Sequence, residues 1–187
     1  MDNKYKIILY LAKKQDMFTL HELSRLTQIP YTSFYRTIQT MDDVVNIRTK
    51  GKSKLIKIKW NEITRAYLTI ASFEEKKEFL QQHTVMRKID EKARDIAMVF
   101  GSYAKGNYTK HSDIDIMVIN DDGKRTVRFS GIEMLYDIKV NPLFFSREEF
   151  LKMLHDDEEN VGKQAMKDHV LISGFGEFWE LVEHEVR

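Results

Sequence analysis

The 187-residue chain has no cysteine, two prolines, eight glycines and no apolar run near the roughly 18 residues of a membrane-spanning helix. The missing cysteine excludes disulfides, thiolate zinc sites and thiol catalysis, and leaves carboxylates and histidines as the metal ligands. No internal repeat or low-complexity linker interrupts the chain. The opening residues Met1-Asp-Asn-Lys-Tyr-Lys6 lack the apolar stretch of a secretory signal, so the expected location is the cytoplasm, with no membrane partner. What is present is ample material for a core: 42% of the residues are apolar, enough for one ordinary domain or two small ones.

The net charge of +1 hides an asymmetry. Residues 1–60 hold 12 Lys and Arg against 5 Asp and Glu, a balance of +7, so residues 61–187 hold 18 against 24, a balance of −6. Opposite signs in the two parts imply two tasks, and a small basic domain is most simply explained by a polyanionic partner.

In the basic part, Ile7, Ile8, Tyr10, Leu11 and Ala12 crowd one side of a helical period, which predicts a first helix over 5–14. Thr19-Leu-His-Glu22 is a capping box that opens a second helix, Gln28-Ile29-Pro30 makes a turn, and a third helix is predicted over 32–41 with Phe34 and Ile38 inward. Two β-prone runs, 44–48 and 55–59, flank the basic tip Thr49-Lys-Gly-Lys-Ser-Lys54. This order resembles the winged helix-turn-helix superfamily. The resemblance implies that Ser33, Tyr35, Arg36 and Gln39 face the major groove of double-stranded DNA, while Lys50, Lys52 and Lys54 neutralise phosphates. Affinity for duplex would then fall steeply with salt as counterions are released. Residues 61–83 are expected to be a helical connector, either one helix or two with a bend near Ala71 if Ser72-Phe-Glu-Glu75 acts as a capping box.

Residues 95–100 read as a buried strand that runs into a tight turn at Gly101-Ser102, followed by the first turn of a helix carrying Lys105. Backbone amides at such a helix start, with a lysine nearby, suit a phosphate. Ten residues after Ser102 begins Asp113-Ile-Asp-Ile-Met-Val-Ile119. In a strand, Asp113 and Asp115 share a face while Ile114 and Ile116 pack inward. Two carboxylates so close are best tolerated around divalent cations, and oxygen-only ligands with triphosphate chemistry indicate magnesium.

Gly-Ser, ten residues, then Asp-x-Asp resembles the nucleotidyltransferases of the DNA polymerase β superfamily, and the short C-terminal part is similar to their minimal branch. The resemblance implies an α+β chain: a winged helix-turn-helix over 1–60, a connector over 61–83, and over 84–187 a nucleotidyltransferase fold with a mixed β-sheet flanked by helices. Lys105 stands where relatives often have arginine, keeping a charge but losing a bidentate fork. The family resemblance further implies two Mg2+ ions on Asp113 and Asp115, a nucleoside triphosphate gripped by Gly101, Ser102 and Lys105, and a third acid on a neighbouring strand that shares a metal and helps deprotonate the attacking hydroxyl.

For that third acid, residues 126–129 and 132–145 are expected to pair as a β-hairpin, with Glu133, Asp137, Lys139 and Asn141 on its outer face. Asp137 in Tyr-Asp-Ile-Lys-Val140 is the choice; Glu133 and an asparagine substitution at Asn141 are its rivals. Ser146-Arg-Glu-Glu149 is a further capping box, and the remainder is expected to form one or two helices whose aromatics serve the core or a homodimer contact. His155, His169 and His184 lack ligand spacing with one another. The expected activity is transfer of AMP from ATP to a hydroxyl of a protein or RNA acceptor, in the manner of antitoxins that adenylylate a partner. The alternatives are a DNA-binding regulator whose second domain only senses nucleotides, and transfer to a small alcohol.

Overall fold

The computed structural model describes residues 1–51 and 53–186; Lys52, one of the expected phosphate contacts, lies outside the described residues. Helix α1 (Asn3–Lys14) starts at Asp2, whose carboxylate accepts the Lys4 amide, and stops where Gln15 turns left-handed. Strand β1 (Phe18–Thr19) leads into α2 (Leu20–Leu26) through the Thr19–Glu22 capping box, and α3 (Tyr31–Ile38) follows Pro30. Strands β2 (Val45–Lys50) and β3 (Ser53–Ile58) form an antiparallel hairpin, and β1 adds to β3, giving the order β1-β3-β2.

Helix α4 (Glu62–Gln82) runs unbroken past Ala71, the single-helix alternative. The Ser72 hydroxyl does not cap a new helix but accepts the Trp179 indole N–H at 2.8 Å inside the core. Then come α5 (Thr84–Lys92), β4 (Ile96–Phe100), α6 (Gly101–Lys105), β5 (Ile114–Asn120), α7 (Ser130–Tyr136), β6 (Val140–Ser146), α8 (Arg147–His155), α9 (Val161–Lys167), β7 (His169–Ser173) and α10 (Phe175–Val186). The second sheet has the order β6-β5-β4-β7; β5 and β6 are parallel and the other pairs antiparallel.

Two expectations are corrected here. No hairpin spans 126–145: residues 124–129 are irregular, 130–136 are helical, and only β6 is a strand. The reason is topological. β6 lies parallel to β5, a parallel pair requires a crossover, and α7 sits in that crossover. The stretch after Ser146 is also not purely helical, because His169-Val-Leu-Ile-Ser173 is an edge strand on β4.

Alternation divides the second sheet between two cores. Met98, Phe100, Met117, Ile119 and Leu171 pack with Phe150, Phe178 and Trp179, and this cluster continues into Ile7, Leu11 and Phe34 of the first sixty residues. Ala97, Val99, Ile116 and Val118 pack on the other face with Met86, Ile89 and Tyr103. Polar clasps reinforce the shared core. Lys13 Nζ reaches Glu75 at 2.6 Å and the His169 carbonyl at 2.6 Å, and Lys14 Nζ reaches Asp168 at 2.8 Å and the Lys167 carbonyl at 2.9 Å.

His169, 2% exposed, is held neutral by these surroundings. Burial and then the Lys13 ammonium push its pKa down to about 3, Nδ1 lies 2.8 Å from the Ala165 carbonyl, and Nε2 has no hydrogen-bond partner. The folded pKa is below the unfolded value of 6.5, so the unfolded chain binds the proton first. The His169 contribution is therefore complete above pH 6.5 and is lost as pH falls towards about 3. The expected slope is about 1.4 kcal/mol per pH unit for one proton. Urea unfolding from pH 6 to pH 4 should show a loss shallower by about that slope in His169→Asn than in the parent chain; equal slopes would remove this assignment.

Candidate active site

β4 and β5 run antiparallel with Phe100 opposite Asp115, so the turn after β4 faces the acidic start of β5. Gly101 takes φ +69°, and a Cβ there would lie 2.4 Å from Asp115 Oδ2. The glycine is required twice, by its backbone and by the carboxylate occupying the space of a side chain. α6 begins at this point with no side-chain cap on its N-terminus, carrying the half-buried Ser102; Lys105 is exposed in its last turn.

Between α6 and β5 the chain is held by features that sequence reasoning missed. Gly106 ends α6 in a left-handed cap. Tyr108 stacks on the buried Tyr103 with ring centroids 4.4 Å apart, and His83 meets both rings edge-on. Ser112 Oγ accepts the Thr109 amide at 2.8 Å, closing the last turn before Asp113. The five-residue spacing of the two tyrosines was the only local signal.

Asp113 and Asp115 converge on Asn141. The register pairs Asp115 with Asn141 across the parallel strands, and the Asn141 amide donates to Asp113 Oδ2 at 3.1 Å and to Asp115 Oδ1 at 3.3 Å. Lys139 Nζ also donates to Asp113 Oδ2 at 3.3 Å. The Asn141 bond first, and Lys139 second, hold the Asp113 carboxyl below the usual carboxylate range.

Asp137 is not on a strand. It caps the C-terminus of α7 in a left-handed conformation, φ 50°, and makes no hydrogen bond to either aspartate. It borders the open cleft of about 510 Å³ beside Asp113, together with Lys110, His111, Glu133 and Lys139. Glu133 is occupied elsewhere, its carboxylate accepting the Val140 amide at 3.0 Å at the start of β6. On the neighbouring strand β6, the residue paired with Asp115 is Asn141.

Among the described residues no three His, Asp or Glu side chains gather closely enough to hold an ion by themselves. Two carboxylates and an amide oxygen nevertheless suit Mg2+, which commonly binds one or two carboxylates and takes its remaining ligands from phosphates and water. Turning the Asn141 amide would present its oxygen instead of its nitrogen to an ion on this face.

On the basic part, α3 exposes Ser33, Tyr35 and Arg36, Gln39 follows at its exposed end, and Lys50 and Lys54 are exposed on the hairpin. Tyr31, not anticipated from sequence, stacks on His21 with centroids 4.2 Å apart.

The turn glycine pressed on Asp115 of β5, with Asp113 directly before that strand, points to a nucleotidyl-transfer class. The family described as "Polymerase beta, Nucleotidyltransferase" matches residues 77–174, just over half of the chain, and the chain belongs to that family. Three proteins of Methanocaldococcus jannaschii, each named "Putative protein adenylyltransferase", are similar to part of the chain. One is 35% identical over 88 residues, 46% of this chain and 60% of the relative. A second is 37% identical over 60 residues, 31% of this chain and 60% of the relative. A third is 50% identical over 46 residues, 25% of this chain and 45% of the relative. The chain thus spans at most about 60% of the length of these relatives. No solved structure matches the chain. No helix among the described residues is long and apolar enough to cross a membrane.

Proposed function

We propose that the chain transfers AMP from ATP to a hydroxyl of a protein or RNA acceptor, in a site built from Gly101, Ser102, Asp113, Asp115 and Asn141. The observation that carries this reading is the fit of Asp115 Oδ2 into the hollow of Gly101, with Asn141 bonded to both aspartates. Asp113 and Asp115, with Asn141 beside them, would hold two Mg2+ ions delivered with the triphosphate. Bound there, the ions would neutralise phosphate charge and acidify the acceptor hydroxyl.

The chain's own residues do the aligning. The uncapped start of α6 would receive the phosphates on its amides, with Ser102 adding a hydroxyl and Lys105 a charge farther along the helix. The acceptor oxygen bonds the α-phosphorus as the bond to pyrophosphate breaks. Asn141 cannot accept a proton, so the hydroxyl proton passes to Asp113 or to water in the open cleft. Catalysis therefore rests on alignment and charge compensation more than on a strong base.

The names of the relatives favour a protein acceptor, as in an antitoxin that modifies its partner. The domain division at 1–60, 61–83 and 84–187 belongs to the same proposal. Its first part would act as a winged helix-turn-helix that reads duplex DNA through α3 and grips phosphates with Lys50 and Lys54. Binding to DNA from its own promoter that did not weaken with added salt would contradict this. Asn141 in place of a third carboxylate favours one second reading, a DNA-binding regulator whose nucleotide site senses rather than reacts.

One experiment separates the two. The chain is incubated with Mg2+ and α-labelled ATP, GTP, CTP or UTP in cell extract. Transfer predicts labelled macromolecule and released pyrophosphate, greatest with ATP and abolished by chelation. Nucleotide binding without pyrophosphate would sink the transfer reading.

A further inference from the structure

Helix α4 carries a second apolar face that the fold leaves open. Its inner side buries Thr64, Leu68, Ala71, Ser72 and Phe79. On the opposite side Ile63, Ile70 and Phe73 are 50%, 48% and 53% exposed, with exposed Ala66 and Lys77 in the same row and half-buried Leu80 at its end. The spacing 63, 66, 70, 73, 77, 80 alternates steps of three and four, the seam of one helix laid along another. An outward helical face is normally polar, and a helix apolar on both sides is covered on both.

We infer that the cover is a second copy of this chain, docked antiparallel about a twofold axis passing between Ala71 and Ser72. That axis sets Ile70 against the copy's Phe73, Ile63 against its Leu80, and Ala66 against its Lys77. The seam is then complementary to itself, as a twofold contact requires. The smallest residue meets the longest side chain, and each large apolar residue meets another. Charge agrees as well: exposed Glu62, one turn before Ala66, comes beside the copy's Lys77, and symmetry makes the contact twice.

Shape points the same way. A cavity of about 530 Å³ opens beside Phe73 and Leu80, walled by Lys77, Arg87 and Glu91, and the copy's Ile63 is the residue that enters it. At 1.5 Å per residue, the seam from Ile63 to Leu80 is about 26 Å long. This dimer does not depend on the catalytic reading.

Light scattering on the full chain at micromolar concentration should give the mass of two 22.2 kDa chains. Ile70→Glu places two carboxylates at the centre of the seam and should give a monomer with an unchanged circular dichroism spectrum. Lys77→Glu should weaken association about tenfold, and adding Glu62→Lys in the same chain should restore it. A monomeric parent chain overturns the inference. So does an Ile70→Glu dimer, or a double exchange that associates no better than Lys77→Glu alone. Should Ile70→Glu fail to fold, the charge exchange at two exposed positions decides the matter.

Discussion

Gly101→Ala should lower nucleotidyl transfer by at least about a hundredfold, the loss expected when reacting groups are misplaced by about an ångström. A methyl group there would lie 2.4 Å from Asp115 Oδ2, so the carboxylate must swing out of the site. The left-handed backbone adds a stability cost of about 1–2 kcal/mol for a non-glycine residue. Gly106→Ala separates the two effects. Its φ is +72°, but a Cβ there meets nothing within 4 Å. It should lose similar stability in urea unfolding while retaining most of its activity. Equal activity losses at 101 and 106 would show that backbone strain, not displacement of Asp115, is responsible.

Asp115→Asn should be more damaging still, with transfer reduced about a thousandfold, at the upper end of what one preorganised electrostatic contact supplies. The substitution preserves shape and removes charge, so unfolding stability should change little. Asp113→Asn should behave similarly. Asp137→Asn should stay within about twofold of the parent chain, because Asp137 caps α7 and hydrogen-bonds neither aspartate; general-base loss would instead cost about a hundredfold or more. Single-turnover rates with labelled ATP provide the comparison. A hundredfold loss at Asp137 would return the third acidic role to that residue and contradict the place given to Asn141.

The contrast between Asp115 and Asp137 marks how far the sequence is legible. Asp113, Asp115, Gly101 and Ser102 could be read because their relation is local: a strand projects alternate residues to one face, and a glycine-serine turn follows an apolar strand. The capping boxes at Thr19 and Ser146 were equally local, and both form in full. The residue that faces Asp115 from the neighbouring strand was not local. It depends on which strand lies beside β5 and in what register, and that pairing crosses 26 residues, from Asp115 to Asn141.

The stretch Ile132-Glu-Met-Leu-Tyr136 satisfies a period of two through Ile132, Met134 and Tyr136. It also satisfies a helical period through Ile132 and Tyr136, and a window this short cannot choose. In the fold Ile132 is buried while Met134 is 87% exposed, which is the helical answer. Ser72 shows the same limit, since its true partner, Trp179, lies 107 residues away. Strand β7 was readable in principle as a short β-branched apolar run ending at Gly174, but its few residues were absorbed into the helices on either side.

The inner face of α4 has one more implication. Leu68 and Ala71 sit in a cluster that also holds Ile7, Leu11 and Trp179, and Lys13 and Lys14 fasten α1 to the start of β7 and the end of α9. The first sixty residues are therefore not a detachable bead. Grafting another module in their place would strip oil-like surface from the sheet that bears the aspartates, so shuffling by recombination would need a matching rewrite of this helix.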